Sequence, residues 1–328
     1  MSFLFWGCAL LFFGSFLFRN VVLPPALART AYQVGTGWLV FTLYMVLLLG
    51  LFDLMRLFHW KFKYGYYLSL ALTLSVLGYG YYHYQHPRTQ VINMVINKPA
   101  AKSGSDTFRV AAVSDIHLGY GTDKAMLQQY VQRINALKPD VILIGGDLID
   151  SSIVPLEAER MDEELARLKA PYGVYMVPGN HEYIAGIEAS VDFIRKTPIV
   201  LLRDSVVTLP NGFHLVGRDD RHNPARKPLE ELVLNLPADE PVILLDHQPY
   251  ELAETARAGI DLQFSGHTHH GQIWPLNWLT DRLFELSYGY KEIGRTRIYV
   301  SSGLSLWGPP FRIGTDSELV LFEIVVEE

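Results

Sequence analysis

Three long apolar stretches dominate the amino-terminal part of the chain. After them the texture changes to short apolar runs separated by charged, helix-periodic stretches. Phe3–Phe18 carries no charge, Thr36–Phe58 is interrupted only by Asp53 and Arg56 near its end, and Tyr64–Tyr84 is uncharged and rimmed with tyrosine. A bilayer core takes roughly 20 helical residues. The pattern therefore predicts spanning helices over 3–22, 36–58 and 64–84, the first reaching Val22 if Arg19 extends to the headgroups. A secretory signal would also supply an apolar run, but no basic segment precedes this one and no small-residue cleavage site follows it. Trp38, Trp60, Tyr64 and Tyr84 stand near segment ends, as interfacial aromatic residues do. Residues 1–97 are read as a membrane segment and the small, polar 98–107 as a linker.

From Phe108 onward, Phe108–Val113, Val141–Ile144, Val174–Val177, Val242–Leu245 and Leu262–Phe264 read as strands buried on both faces. Between them, Lys124–Leu137, Leu156–Lys169 and Glu188–Arg195 have helical periodicity with charged faces. Strands alternating with helices predict an α/β layered fold.

Charge is distributed unevenly. Residues 1–97 hold six Lys/Arg and one acid, whereas residues 98–328 hold 22 basic against 33 acidic residues. An acidic soluble part lacks the clustered cations that a stable nucleic-acid partner demands, and it suits a protein that concentrates positive charge in bound metal ions. The single cysteine, Cys8, lies in an apolar run, which excludes an intrachain disulfide framework and a thiolate zinc site in the soluble part.

Each of the five strands runs into a polar cluster: Ser114-Asp115-Ile116-His117, Gly145-Gly146-Asp147, Pro178-Gly179-Asn180-His181-Glu182, Asp246-His247-Gln248-Pro249 and Ser265-Gly266-His267-Thr268-His269. In an α/β sheet, ligands bind beyond the carboxyl ends of the strands, so clusters far apart in sequence can converge on one site. Asp, His and Asn without Cys form a nitrogen–oxygen donor set for Mn²⁺, Fe²⁺ or Zn²⁺. A lone histidine beside a strand is usually structural; five polar clusters at five strand ends point to a metal or catalytic role.

The order D-x-H, G-D, G-N-H-E, H and G-H-x-H resembles the calcineurin-like metallophosphoesterases, from about Phe108 to the end. Arg203-Asp204, Gly217-Arg218-Asp219-Asp220 and Ser302-Gly303 to Arg312-Ile313-Gly314 resemble its membrane-associated bacterial branch. The resemblance implies a four-layer α-β-β-α sandwich over 108–328, behind the helical membrane segment. It implies two divalent metal ions, with Asp115, His117 and His269 on the first, Asn180, His247 and His267 on the second, and Asp147 bridging. Two such cations activate a shared water and clamp phosphate oxygens. His181 is then placed as the acid that protonates the leaving oxygen. Glu182 would orient an imidazole or serve as a helix N-terminal acid. His270 replaces a glycine of the branch and is read as a rim residue.

Residues 272–311 are rich in aromatic side chains, among them Trp274, Trp278, Phe284, Tyr288 and Trp307. They suit either an apolar cover over the sheet or a lipid-facing rim beside the site. The expected activity is hydrolysis of a phosphoester or pyrophosphate, on a lipid-linked substrate since the anchor holds the site near the bilayer. A cyclic-nucleotide or nucleotide phosphodiesterase is the enzymatic alternative, and a catalytically idle metal-binding scaffold is the alternative of another class. The expected location is the cell membrane, multi-pass. Loop charges are nearly even across it; exported relatives of the family tilt the catalytic domain to the extracytoplasmic side.

Overall fold

The computed structural model describes residues 2–17, 24–60, 62–98 and 107–327. Residues 18–22 of the first expected span and 99–106 of the expected linker lie outside the described residues.

Three helices come first: α1 (Ser2–Leu17), α2 (Pro25–Leu57) and α3 (Gly65–Gln85). Helix α2 begins at Pro25 rather than Thr36. Proline in the first turn forfeits no hydrogen bond, and the added stretch is amphipathic, so its polar residues hide it from a search for apolar runs. That stretch packs on the rest of the protein: Ala28 and Tyr32 are buried, and Arg29 Nη1 lies 2.6 Å from Asp123 Oδ2. Of the three expected spans, one described helix, Ala26–Leu57, is long and apolar enough to cross a membrane; Phe5–Gly14 is apolar but shorter. Helix α3 presents small residues, Gly65, Ser69, Thr73 and Gly80, on its buried face. The Gly80 carbonyl accepts from the Arg312 N–H at 2.9 Å.

The expected boundary after residue 97 is corrected. Strand β1 (Arg88–Asn97) does not belong with the three amino-terminal helices; it pairs in parallel along its whole length with the carboxy-terminal strand, β12 (Glu318–Glu327). Its alternating pattern of buried and exposed residues marks an edge strand half open to solvent, a weaker signal than the doubly buried strands.

Among the described residues, eleven further strands follow β1 and complete two six-stranded sheets with it. The first has the order β1-β12-β2-β3-β4-β5, with β2 (Phe108–Val113), β3 (Val141–Ile144), β4 (Val174–Met176) and β5 (Ile199–Leu201) all parallel. The second has β6 (Ser205–Thr208), β7 (His214–Gly217), β8 (Val242–Leu245), β9 (Leu262–Ser265), β10 (Gly289–Ile293) and β11 (Thr296–Val300) in the order β10-β11-β9-β8-β7-β6. Val110, Ala112 and Leu143 of the first sheet meet Leu215, Ile243 and Phe264 of the second in a dry layer between them. On the outer face of the first sheet, α4 (Lys124–Ala136) contributes Leu127, Val131 and Ile134 to a second core. Leu229 and Ile260 cover the outer face of the second sheet with Val242 and Leu244. The result is the four-layer α-β-β-α sandwich expected, with the carboxyl ends of β2, β3, β4, β8 and β9 on one side.

One helix expected over Leu156–Lys169 is instead two short ones, Val154–Ala158 and Met161–Leu165. Arg160 between them has left-handed backbone, φ 53°, which interrupts the helical hydrogen-bond ladder.

Candidate metal centre

The five loops converge. Nε2 of His117 and Nε2 of His269 lie 3.1 Å apart, and each is within 3.8 Å of Asp115 Oδ1. Asp147 Oδ2 is 3.8 Å from His117 Nε2 on one side and 3.1 Å from His247 Nε2 on the other. Asn180 Oδ1 completes the second group, 3.2 Å from His247 Nε2 and 2.8 Å from His267 Nδ1. All seven expected donors thus gather in one place, with Asp147 common to both halves. Donor atoms of Asp115, His117 and His269, and likewise of Asp147, His247 and His267, lie within 4.8 Å of one another.

The backbone is bent to achieve this. Asp115 (φ 54°), His117 (φ 48°), Asp147 (φ 53°), His267 (φ 73°) and His269 (φ 49°) all occupy the left-handed region. Such a conformation costs a non-glycine residue roughly 1–2 kcal/mol; on five residues that approaches a domain's net stability of about 5–15 kcal/mol. It survives only where neighbours enforce it. Here the Asp115 and His117 N–H groups donate to the Gly146 and Asp147 carbonyls at 3.0 Å, and the His267 N–H donates to the Asp115 carboxylate at 3.1 Å. Close approach of the loops requires glycine at Gly179 and Gly266: a Cβ there would lie 2.2 Å from Asp147 Oδ1 and from Asp115 Oδ2, respectively.

The electrostatics fit a divalent cation. Asp115 and Asp147 are buried, and among the described residues their ion pairs are all to imidazoles. Burial alone would raise the Asp147 carboxyl, yet His247, His181 and His117 hold it well below the usual carboxylate range. Burial pushes His267 down to about 4, with help from His247, and pushes His269 well below its ordinary value. These shifts favour neutral rings at His267 and His269, whereas at His247 burial is outweighed by Asp147, which holds that imidazole well above its ordinary value. Lone pairs and carboxylates aimed at one point repel one another unless a cation stands between them.

Residues 108–271 match the sequence family described as calcineurin-like phosphoesterase. The chain belongs to that family. It is 34% identical over 223 residues to an uncharacterized metallophosphoesterase of Helicobacter pylori, covering 66% of this chain and 60% of that protein. It is 31% identical over 252 residues to a Danio rerio protein named transmembrane protein with metallophosphoesterase domain, covering 72% of this chain and 56% of the other. The chain thus spans less than two thirds of the length of these two relatives. Among solved structures, a 5'-nucleotidase precursor from Thermus thermophilus aligns with TM-score 0.42 at 15% identity, over 66% of this chain and 55% of that one.

Around this candidate centre the structure reveals partners that the motif reading missed. His181 Nδ1 contacts the main-chain carbonyl of Asp150 and lies 3.5 Å from its Oδ1. Burial opposes protonation of His181, but Asp147 and Asp150 push it up to about 9. The available signal for Asp150 was its spacing, three residues beyond Asp147 in the same loop. Glu182 orients no imidazole: its carboxylate accepts the N–H groups of Asp147 (3.1 Å), Ile149 (3.0 Å) and Gly179 (2.7 Å). The helix-terminal alternative is the nearer one, extended to tie two ligand loops together. Burial and the nearby Asp147 push the Glu182 carboxyl up to about 7. Arg312 is fully buried and, among the described residues, pairs with no carboxylate; its guanidinium donates to the carbonyls of His269 (2.9 Å), Ser302 (2.6 Å), Gly303 (3.2 Å) and Ser305 (2.6 Å). It pins the left-handed His269 turn from behind.

His270 also has left-handed backbone, φ 49°, which explains why glycine is at home there; histidine is among the residues that tolerate it better. Its ring stacks on Tyr288 at 4.9 Å, half-buried at the rim. The aromatic segment divides. Phe284 lies edge-on to His267 at 5.9 Å and Trp307 tilts against His181 at 6.2 Å, while Trp274 and Trp278 face outward.

Proposed function

We propose that this chain is a membrane-anchored hydrolase of a phosphoester or pyrophosphate bond that works with two divalent metal ions. The observation that carries the reading is Asp147, whose carboxylate is shared between two separate nitrogen–oxygen donor groups. Asp115, His117 and His269 would hold one cation, Asn180, His247 and His267 the other, with Asp147 bridging. The donor chemistry suits Mn, Fe or Zn. When bound, the cations supply Lewis-acid polarisation of the phosphoryl oxygens and lower the pKa of a water between them.

The chain's own residues do the rest. Asp115, Asp147 and the neutral imidazoles stand on glycine-tight turns, so the donor geometry exists before substrate arrives and needs little reorganisation. His181 donates Nδ1–H to the Asp150 carbonyl, which fixes the ring and leaves Nε2–H as the proton for the departing oxygen. Asp147 and Asp150 keep that proton on the ring, and cations opposite would bring its pKa down toward the useful range. Asn180 offers a neutral oxygen where another anion would weaken Lewis acidity. A scaffold that only bound metal would have no use for a proton donor held in this way.

The test is the protein in detergent, loaded separately with Mn²⁺, Fe²⁺ or Zn²⁺, against an aryl phosphomonoester, an aryl phosphodiester and a pyrophosphate diester. Turnover with about two metals per chain by mass spectrometry of the digested protein is expected; no turnover of any substrate with any of the three metals overturns the reading. The reading includes several membrane spans and an extracytoplasmic catalytic domain. A carboxy-terminal reporter active only in the cytoplasm would overturn that orientation.

A further inference from the structure

A cleft of about 700 Å³ runs from the candidate metal centre to the membrane helices. At one end stand His267 and His269. One wall is built by Phe12 of α1 and by Leu39, Val40 and Leu43 of α2; Leu276 and Leu279 of the helix Leu276–Leu283 form the facing wall. Outside the histidine end, the walls are dominated by hydrocarbon. The two walls are fixed to one another: the Tyr44 hydroxyl on α2 donates to the Trp274 carbonyl at 2.6 Å, and Val40, Tyr44, Ile273 and Ile313 form a small core beneath the cleft.

A soluble phosphoester would gain nothing from such walls, and a cleft of apolar side chains filled with water is unfavourable in proportion to its area. Ordinary ligand pockets are apolar with a few polar groups at the reacting end; here the apolar part is supplied in part by α2, the one described helix long and apolar enough to cross a membrane. The surface around the facing wall continues the same chemistry. Leu276, Trp278, Leu279 and Leu283 are all exposed, Trp278 at 64%, on a helix whose apolar side lies next to α2. A short helix with exposed leucine and tryptophan beside a spanning helix is the composition of an element lying at a bilayer surface. An apolar path therefore leads from the bilayer, past Leu279, to the imidazoles of His267 and His269.

We propose that this cleft holds the hydrocarbon tail of the substrate, so that the molecule cleaved is an amphipathic phosphoester drawn from the bilayer. The proposal rests on the hydrolase reading above and adds its substrate class. The phosphate sits at the donor cluster while the chain lies between α2 and Leu276–Leu283. Each methylene buried along the cleft is worth about fourfold in affinity, so a tail of several carbons dominates selection. Anchor and catalytic domain are then one binding site, each contributing a wall.

The experiment uses full-length protein in mixed micelles of fixed composition, with two nitrophenyl phosphodiesters that share a leaving group. One carries a methyl and the other a hexadecyl group on the second ester oxygen. The wild type is expected to favour the hexadecyl ester by at least roughly tenfold in kcat/KM, a few methylenes' worth of burial. Leu39→Trp and Leu279→Trp, which fill the cleft from opposite walls, are each expected to reduce that ratio by roughly tenfold or more, because an indole displaces several methylenes of chain. Both substrates are measured on the same preparation, so any loss of folded protein cancels in the ratio. Equal cleavage of the two esters by the wild type overturns the proposal. So does an unchanged ratio in both variants, which would assign the preference to micelle partition. Cleavage of neither ester also overturns the proposal, and the hydrolase reading is then decided separately by the aryl-ester and pyrophosphate assay above.

Discussion

The Tyr32 hydroxyl on α2 donates to Asp150 Oδ2 at 3.1 Å, and Asp150 holds the His181 ring through its main-chain carbonyl. The same hydroxyl accepts the Gly308 N–H at 2.8 Å, next to Trp307, which tilts against His181. One residue of α2 thus ties together two segments that border His181. Tyr32→Phe removes both hydrogen bonds and keeps the ring. A single hydrogen bond contributes about 0.5–1.5 kcal/mol, so kcat on an alkyl phosphoester is expected to fall by roughly threefold to tenfold. Metal content and KM should stay put. Unchanged kcat, or a rise in KM alone, would show that Tyr32 does not act through the His181 side of the site.

Asp147 is the residue on which the proposed two-metal reading turns. Asp147→Asn keeps the shape and removes the charge that both donor groups share. Metal content, measured by elemental mass spectrometry after dialysis, and turnover should fall together. Near-normal activity with both metals retained would rule out a bridging role.

His181 is assigned as acid rather than ligand. His181→Ala should leave both metals in place while turnover drops on the order of 10²- to 10⁴-fold, the usual contribution of a positioned acid. The defect should shrink for a nitrophenyl leaving group, which departs without a proton, and be largest for an alkoxide. An equal defect for both would move His181 to holding the phosphate, and loss of a metal would make it part of the donor cluster.

Arg312 is expected to be a stability residue with a catalytic consequence. Arg312→Met leaves the carbonyls of His269, Ser302, Gly303 and Ser305 short of a donor. Each unsatisfied buried group costs about 1–3 kcal/mol, and each kcal/mol lowers the melting temperature of a domain this size by about 2–4 °C. A fall of roughly 10 °C or more is expected in a thermal melt. A melt within a degree or two of the wild type would show that the guanidinium is replaceable there.

What the sequence alone determined was the chemistry and its approximate address. Strands β2, β3, β8 and β9 were legible because strands buried on both faces are nearly continuous apolar runs, and the polar residues that follow them stand out by contrast. The strand-end rule then placed Asp115, His117, Asp147, Asn180, His247, His267 and His269 together, and the structure gathers them in two groups that share Asp147. Strand β1 was hidden because an edge strand alternates, and because a hydrophobic region precedes it that claims the neighbouring residues. Helix α2 was read too short because its first turns bury only a stripe, Ala28 and Tyr32, rather than their whole surface.

Only the tertiary structure decided which residues support the site. Glu182 ties loops through backbone N–H groups, and Arg312 donates to carbonyls and one hydroxyl. Main-chain partners leave no trace in side-chain spacing. The cleft between α2 and Leu276–Leu283 was equally invisible, since each wall reads locally as an ordinary apolar helix face. Their meeting beside His267 depends on long-range packing of a membrane helix against a loop more than 200 residues away in sequence. Local pattern reports what a residue type can do; only the folded contacts fix what it faces, because burial and hydrogen-bond geometry are properties of pairs and not of positions.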